Sequence, residues 1–245
     1  MTAPTRPRTA VVVGSTSGIG RALAVALDAR GWAVGLAGRR AALLDEVRAS
    51  LSPRANDKVL DVRDVEEARR RFEALCERMG GADLVVLSAG TGHTDEADAW
   101  PHVRETVETN ALGFAALADA AVRHFEARGG GHLVGTTSVA AVREGGAAPA
   151  YHASKAFAAR YLAGLRHRAL KAGLPLAVTD VRPGFVDTAM AKGDGLFWVA
   201  SPEQAAAQIV EAIGKHRRVV YVTRRWRGIA AVLAALPGWL YRRMG

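Results

Sequence analysis

The sequence predicts one α/β domain, doubly wound around a largely parallel sheet of seven strands. Three observations carry that prediction. Short apolar runs rich in Val, Leu and Ala alternate with longer stretches of helical period, the pattern of strands covered on both faces by helices. The first run, Ala10 to Val13, leads directly into a glycine-rich turn and a helix start. At 245 residues and 49% hydrophobic the chain can bury a sizeable core, and no linker, repeat or low-complexity block marks off a second domain.

In chain order, strands are expected near 9–14, 32–38, 58–61, 83–88, 132–137, 176–182 and 219–223. Helices should fill most of 18–29, 40–50, 65–79, 101–128, 151–172 and 202–215. The last of these has a clear start, with Ser201 as N-cap and Pro202 in the first turn. Residues 1–8, M-T-A-P-T-R-P-R, lack an apolar run and read as a loose tail, not a signal peptide. The domain proper is expected over 9–225, with a basic and apolar extension over 226–245. Ligands of such sheets bind beyond the carboxyl ends of the strands, where Gly14, Ser88, Ser138 and Pro183 all fall.

Two motifs carry chemistry. In V-G-S-T-S-G-I-G, Gly14, Gly18 and Gly20 let the backbone turn tightly and approach a pyrophosphate that faces a helix N-terminus. A plain strand-to-helix connection is the alternative for this turn alone. In Y-H-A-S-K, Tyr151 and Lys155 share a helix face, so an ammonium can favour the anion of a phenol whose ordinary pKa is about 10. A solvated helix face is the alternative for this pair alone, and their joint presence argues against both.

Together these residues resemble the short-chain dehydrogenase/reductase family over most of the chain. Val13 stands where the family's glycine motif has threonine, and Leu87-Ser88-Ala89-Gly90 replaces its Asn-Asn-Ala-Gly pattern. Asn110, Ser138, Tyr151 and Lys155 match the family's catalytic tetrad, and Arg182-Pro183-Gly184-Phe185-Val186-Asp187-Thr188 matches its nicotinamide-contacting segment. The resemblance implies a Rossmann-like fold and hydride transfer between nicotinamide and a carbonyl or secondary alcohol. Tyr151 would act as general acid or base, Lys155 would hold the nicotinamide ribose and lower the phenol's pKa, and Ser138 would bind the substrate oxygen. Asn110 would support a water-linked proton path to Lys155. Cofactor contacts are expected from Gly14, Ser15, Ser17, Gly18, Ile19, Gly20, Ser88, Ala89, Gly90, Tyr151, Lys155, Pro183, Gly184, Val186 and Thr188.

The second strand bears on the choice of dinucleotide. The position that offers an acid to the ribose of NAD is Gly38, and Arg39 and Arg40 follow it. Cations without a nearby carboxylate suit a 2′-phosphate, so NADP(H) is expected in preference to NAD(H). Asp61, with Val62 beside it, resembles the family's adenine-side aspartate, a turn or capping role being the alternative.

The substrate is poorly encoded. Residues 189–200 read as a lid with Gly193 and Gly195 as hinges, and Phe197 and Trp198 as either a substrate cover or core packing. His93, Val139, Arg143, Phe185 and Met190 are further candidates for the pocket. His93 has no metal-ligand spacing around it, and no metal site is expected. The lone Cys76 forms no intrachain disulfide, which suits a reducing cytoplasm.

A net charge of +9 and a pI near 10.4 raise the question of polyanionic partners. No specific nucleic-acid module is present. Much of the charge flanks the apolar stretch from Ile229 to Leu240, which is too short for a membrane span and is broken by Pro237-Gly238. Ile229, Val232, Leu233, Leu236 and Leu240 read as a buried stripe, packed on the domain or at the interface of a homo-oligomer. Peripheral attachment to a membrane is the alternative. The main rival to an enzyme is a low-turnover, dinucleotide-responsive regulatory protein, and the complete tetrad argues against it.

Overall fold

A computed structural model describes residues 7–93, 100–190 and 197–241. Its centre is a seven-stranded sheet in the order β3-β2-β1-β4-β5-β6-β7. The strands are β1 (Thr9–Val13), β2 (Ala33–Gly38), β3 (Asn56–Val59), β4 (Leu84–Leu87), β5 (Gly131–Thr136), β6 (Leu176–Pro183) and β7 (Val219–Val222), and every neighbouring pair is parallel. The sheet is therefore wholly parallel. Successive side chains of β1 point to opposite faces, which makes two cores from one strand: Val11 and Val13 join one cluster, Ala10 and Val12 the other.

Helices α3 (Val65–Arg78), α5 (Phe114–Arg128) and α6 (Pro149–Lys171) cover the first face, supplying Phe72, Leu75, Leu117, Phe125 and Leu162. Helices α1 (Gly18–Asp28), α2 (Ala41–Ala49) and α7 (Pro202–Gly214) cover the second with Leu23, Leu27, Leu44 and Ile209. The start of α7 is a full capping box, in which Ser201 Oγ accepts from Gln204 N–H while the Gln204 side chain accepts from Ser201 N–H.

Two expected elements differ. The strand expected at 58–61 is β3, which begins at Asn56 and ends at Val59, although Leu60 N–H still donates to Gly38 O at 2.9 Å. The helix expected over 101–128 is interrupted. It comprises α4 (Trp100–Val107), a π-helical turn over Glu108–Gly113, and α5. That wide turn carries Asn110 into the interior, and it sits tightly on the neighbouring connection: a Cβ on Gly113 would lie 2.4 Å from Val62 O.

The C-terminal segment folds back over the domain as α8 (Trp226–Ala235) and α9 (Gly238–Tyr241). Of the expected apolar stripe, Ile229, Leu233, Leu236 and Leu240 are half-buried, and Val232 is corrected. Val232 points outward at 61% exposure, while the buried contacts are Trp226 and Ala230, with half-buried Leu233 on the same face. The reason is register: Trp226 sets the inward face, and the helix continues it at i+4 and i+7. Leu236 is already extended, so Leu240 belongs to a separate turn. No described helix is long and apolar enough to cross a membrane.

Candidate active site

The site lies at the carboxyl edge of the sheet, beginning with the turn after β1. Gly14 adopts φ +87°, and a Cβ there would stand 2.4 Å from Ala89 N. Only glycine lets the Ser88-Ala89-Gly90 backbone approach so closely. Gly20 is equally confined, since an added Cβ would lie 2.1 Å from Gly14 O, and Ser15 Oγ donates to Ala37 O at 3.2 Å. Ser17 precedes α1 without making a side-chain cap, and the first turn holds no acidic residue. The helix thus presents its opening amides without a negative side chain of its own, which fits the pyrophosphate of a dinucleotide. Ile19 packs on the second core, and Gly18 lies against Thr188, whose Cγ2 would be 2.9 Å from an added Cβ.

The proposed catalytic groups come from two connections, Asn110 from that between β4 and β5 and the other three from that between β5 and β6. Ser138 ends the buried stretch after β5 and caps the short 3-10 turn Val139–Val142 by accepting from Ala140 N–H at 3.1 Å. Its hydroxyl is hydrogen-bonded to the half-buried Tyr151. Lys155 is buried one turn along α6, donates from Nζ to Thr136 O at 3.2 Å and lies 5.7 Å from the centre of the Tyr151 ring. Burial brings the ammonium down to about 8, with Asp180 opposing the change. The Tyr151 phenol does not follow the expectation that Lys155 lowers it: burial pushes it above its ordinary value, and the bond to Ser138 only opposes that.

Asn110 has a structural task beside the one expected of it. Its Nδ2 donates to Thr91 O at 2.7 Å and Ser154 Oγ at 3.0 Å, while its Oδ1 accepts from Thr91 N–H at 2.9 Å. These bonds clamp the chain after β4 against α6. An added Cβ on Gly90 would lie 3.2 Å from Lys155 Nζ and 3.3 Å from Asn110 Oδ1, so this glycine brings the two side chains to one place. Gly92 performs the same service for Tyr151, since an added Cβ would lie 2.8 Å from the ring's Cδ2. Gly92 and Ser154 are site residues missed in the sequence; the glycine-rich turn before His93 was the available signal.

The arginine pair divides. Arg40 lies over the glycine turn, donating to Thr16 Oγ1 at 3.1 Å and Ser17 Oγ at 2.7 Å. Arg39 instead pairs with Glu105 on α4 at 3.3 Å. The absence of a nearby carboxylate, expected from the sequence around Gly38, is therefore corrected: a distant helix supplies one. Asp61 makes a turn with Arg63, accepting its N–H at 3.1 Å and its guanidinium at 2.7 Å, and that side-chain bond holds the carboxyl below its usual range. Val62 is buried beneath the π-helical turn.

On the opposite flank, Pro183 ends β6 and Gly184 follows it, and Ser138 Oγ is 3.5 Å from Pro183 O. Val186 is buried and bridges to Ala200, closing the base of the intervening segment. Phe197 stacks on Trp226 at 5.2 Å, with Phe185 edge-on to both and Trp198 edge-on beside them. Phe197, Trp198 and Met190 remain nearly half exposed. Gly193 and Gly195 lie outside the described residues. Val139 is half-buried at the 3-10 turn. Arg143 is not open to a pocket: it donates to Leu233 O at 2.9 Å and to Leu236 O, and lies over Tyr241. His93 is 3.2 Å from Glu105 and stacks on His102. Among the described residues no group of three His, Cys, Asp or Glu side chains could hold a metal.

Comparison with known proteins accords with this geometry. A family model described as short chain dehydrogenase matches residues 8–196. An uncharacterized oxidoreductase of Myxococcus xanthus is 40% identical over 185 residues, covering 73% of this chain and 72% of its own. A short-chain dehydrogenase/reductase of Burkholderia phymatum, solved with NAD, superposes with a TM-score of 0.84 at 19% identity, covering 92% of each chain. A variant of actinorhodin polyketide ketoreductase, solved with NADPH, gives 0.76 at 26% identity, covering 88% of this chain and 95% of its own. The chain belongs to the short-chain dehydrogenase/reductase family of NAD(P)-dependent oxidoreductases.

Proposed function

We propose that the chain is an NADP-preferring oxidoreductase acting on a carbonyl/secondary-alcohol pair, with Tyr151 as the proton-transferring group. The observation that carries this reading is the meeting of Ser138, Tyr151 and buried Lys155 beside the glycine turn. The bound nicotinamide supplies or accepts the hydride. The residues around it do the rest.

Gly14 to Gly20 would receive the pyrophosphate, Ser88 to Gly90 would contact the dinucleotide beside that turn, Pro183 to Thr188 would contact the nicotinamide, and Asp61 and Val62 would flank the adenine. Arg40, with Arg39, faces a 2′-phosphate through charge-assisted hydrogen bonds that a ribose hydroxyl cannot match. In reduction Tyr151 Oη gives its proton to the substrate oxygen, and in oxidation it takes that proton back. Ser138 Oγ hydrogen-bonds the same oxygen as its negative charge develops. Lys155 keeps one positive charge 5.7 Å from the phenol ring, which favours the phenolate left after the proton departs.

NAD accompanies one neighbour and NADPH another, so the preference rests on Arg39, Arg40 and Gly38 of this chain. The test is a screen of ketones, aldehydes and secondary alcohols with each dinucleotide. NADP-dependent turnover that collapses in Tyr151→Phe is the expected result, and near wild-type turnover in that variant overturns the assignment.

A further inference from the structure

Glu105 joins elements that the sheet keeps apart. It lies on α4, which follows β4, whereas Arg39 and Arg63 follow β2 and β3. Since β1 separates those strands from β4, the contacts of Glu105 Oε1 with Arg39 Nη1 at 3.3 Å and Arg63 Nη1 at 3.7 Å reach across the end of the strand that carries the glycine turn. The other carboxylate oxygen is 3.2 Å from His93 Nε2. The side chain is only a quarter exposed, unlike Arg39, which is half exposed.

We infer that Glu105 is a specificity-determining residue of the cofactor groove, a carboxylate that holds Arg39 across the groove and releases it to a phosphate on the adenosine 2′-oxygen but not to a 2′-hydroxyl. This rests on the NADP reading and deepens it. A doubly charged phosphate competes for a guanidinium better than a singly charged carboxylate, whereas a neutral hydroxyl gives no charge in exchange. When Arg39 leaves, Glu105 retains Arg63 and His93, so it is not stranded without partners. Arg63 is already bound to Asp61 at 2.7 Å and must then serve two carboxylates. Glu105 consequently holds the affinity for a 2′-phosphate below what Arg39 and Arg40 would reach by themselves, and so sets how far the site favours one dinucleotide over the other.

Isothermal titration of the full chain with 2′,5′-ADP and with 5′-AMP isolates the phosphate from the nicotinamide chemistry. Glu105→Gln should bind 2′,5′-ADP about three- to tenfold more tightly while changing 5′-AMP by less than about twofold, and added salt should narrow the gap from wild type. Glu105→Ala should move the same way, with thermal unfolding checking that both variants are folded. Unchanged or weaker binding of 2′,5′-ADP, or equal tightening of both ligands, overturns the role of Glu105. A wild-type chain that binds both ligands equally overturns the NADP reading and this inference with it; a wild-type preference that Glu105→Gln leaves unaltered overturns the inference alone.

Discussion

The two flanks of the cleft are built to different tolerances. On the dinucleotide flank, backbone meets backbone: added Cβ atoms on Gly14 and Gly20 would lie 2.4 and 2.1 Å from main-chain atoms. On the opposite flank, rings meet rings, and Phe197 and Trp198 are 47% and 45% exposed although both contact Trp226. A backbone contact at such distances leaves no room for another side chain, whereas a partly exposed aromatic cluster can shift by rotamer. The difference teaches where this fold is rigid and where its specificity can vary. The glycine turn sits on a strand end, and the aromatic cluster sits on the segment after β6 and the C-terminal helix.

Several substitutions sharpen or break that contrast. Tyr151→Phe removes one oxygen at the junction of the flanks and should lower turnover by about 10²- to 10⁴-fold, with dinucleotide affinity and melting temperature little changed. Gly14→Ala should be the most damaging change on the rigid flank, costing about 3–5 kcal/mol of stability and most dinucleotide binding, because it meets both a positive φ and a main-chain clash. Denaturant unfolding and NADP titration would read both effects. Trp226→Ala on the other flank should cost about 3 kcal/mol through the space it opens, yet leave dinucleotide affinity within about threefold. This variant is the sharpest challenge to the contrast, since the Trp226 indole covers Gly184 and an added Cβ there would lie 2.0 Å from the ring. A loss of NADP affinity as steep as the loss of stability would make the flanks one mechanical unit.

Smaller effects follow. Lys155→Met should make the unliganded chain more stable near neutral pH, by about 2 kcal/mol, because a buried cation is removed. The sign has its own signature. The folded value of Lys155, about 8, lies below the ordinary 10.5, so between these values the unfolded chain binds more protons and wild-type stability rises with pH. Lys155→Met should lack that rise when melting is followed across the interval. Smallest of all, Val232→Ala should change stability by less than about 0.5 kcal/mol, since the side chain is 61% exposed. A larger loss, or a change in assembly measured by light scattering, would mean that the outer face of α8 is covered in solution.

The sheet and its helices were legible because the signals are local. The run Ala10–Val13 into Gly14, the spacing of Tyr151 and Lys155, and Ser201-Pro202 each state their local conformation within a few residues. The interruption of the helix at Asn110 was not legible, because nothing in E-T-N-A-L-G marks a π turn until Gly113 is seen pressed on Val62. Of the apolar positions expected in the C-terminal stripe, Val232 alone faces outward, and the expected stripe left out Trp226 and Ala230, the residues the structure buries most deeply there.

By itself the sequence determined the α/β architecture, the glycine turn at the end of β1 and the residues Asn110, Ser138, Tyr151 and Lys155 that stand at one edge of the sheet. Only the tertiary structure decided that Arg39 is held by Glu105, that Asn110 clamps Thr91, that Arg143 is occupied by α8, and that burial outweighs every other influence on the Tyr151 phenol. Periodicity and turn chemistry act between near neighbours in the chain, whereas charge pairing and desolvation depend on which remote surfaces the folded sheet brings within a few ångströms.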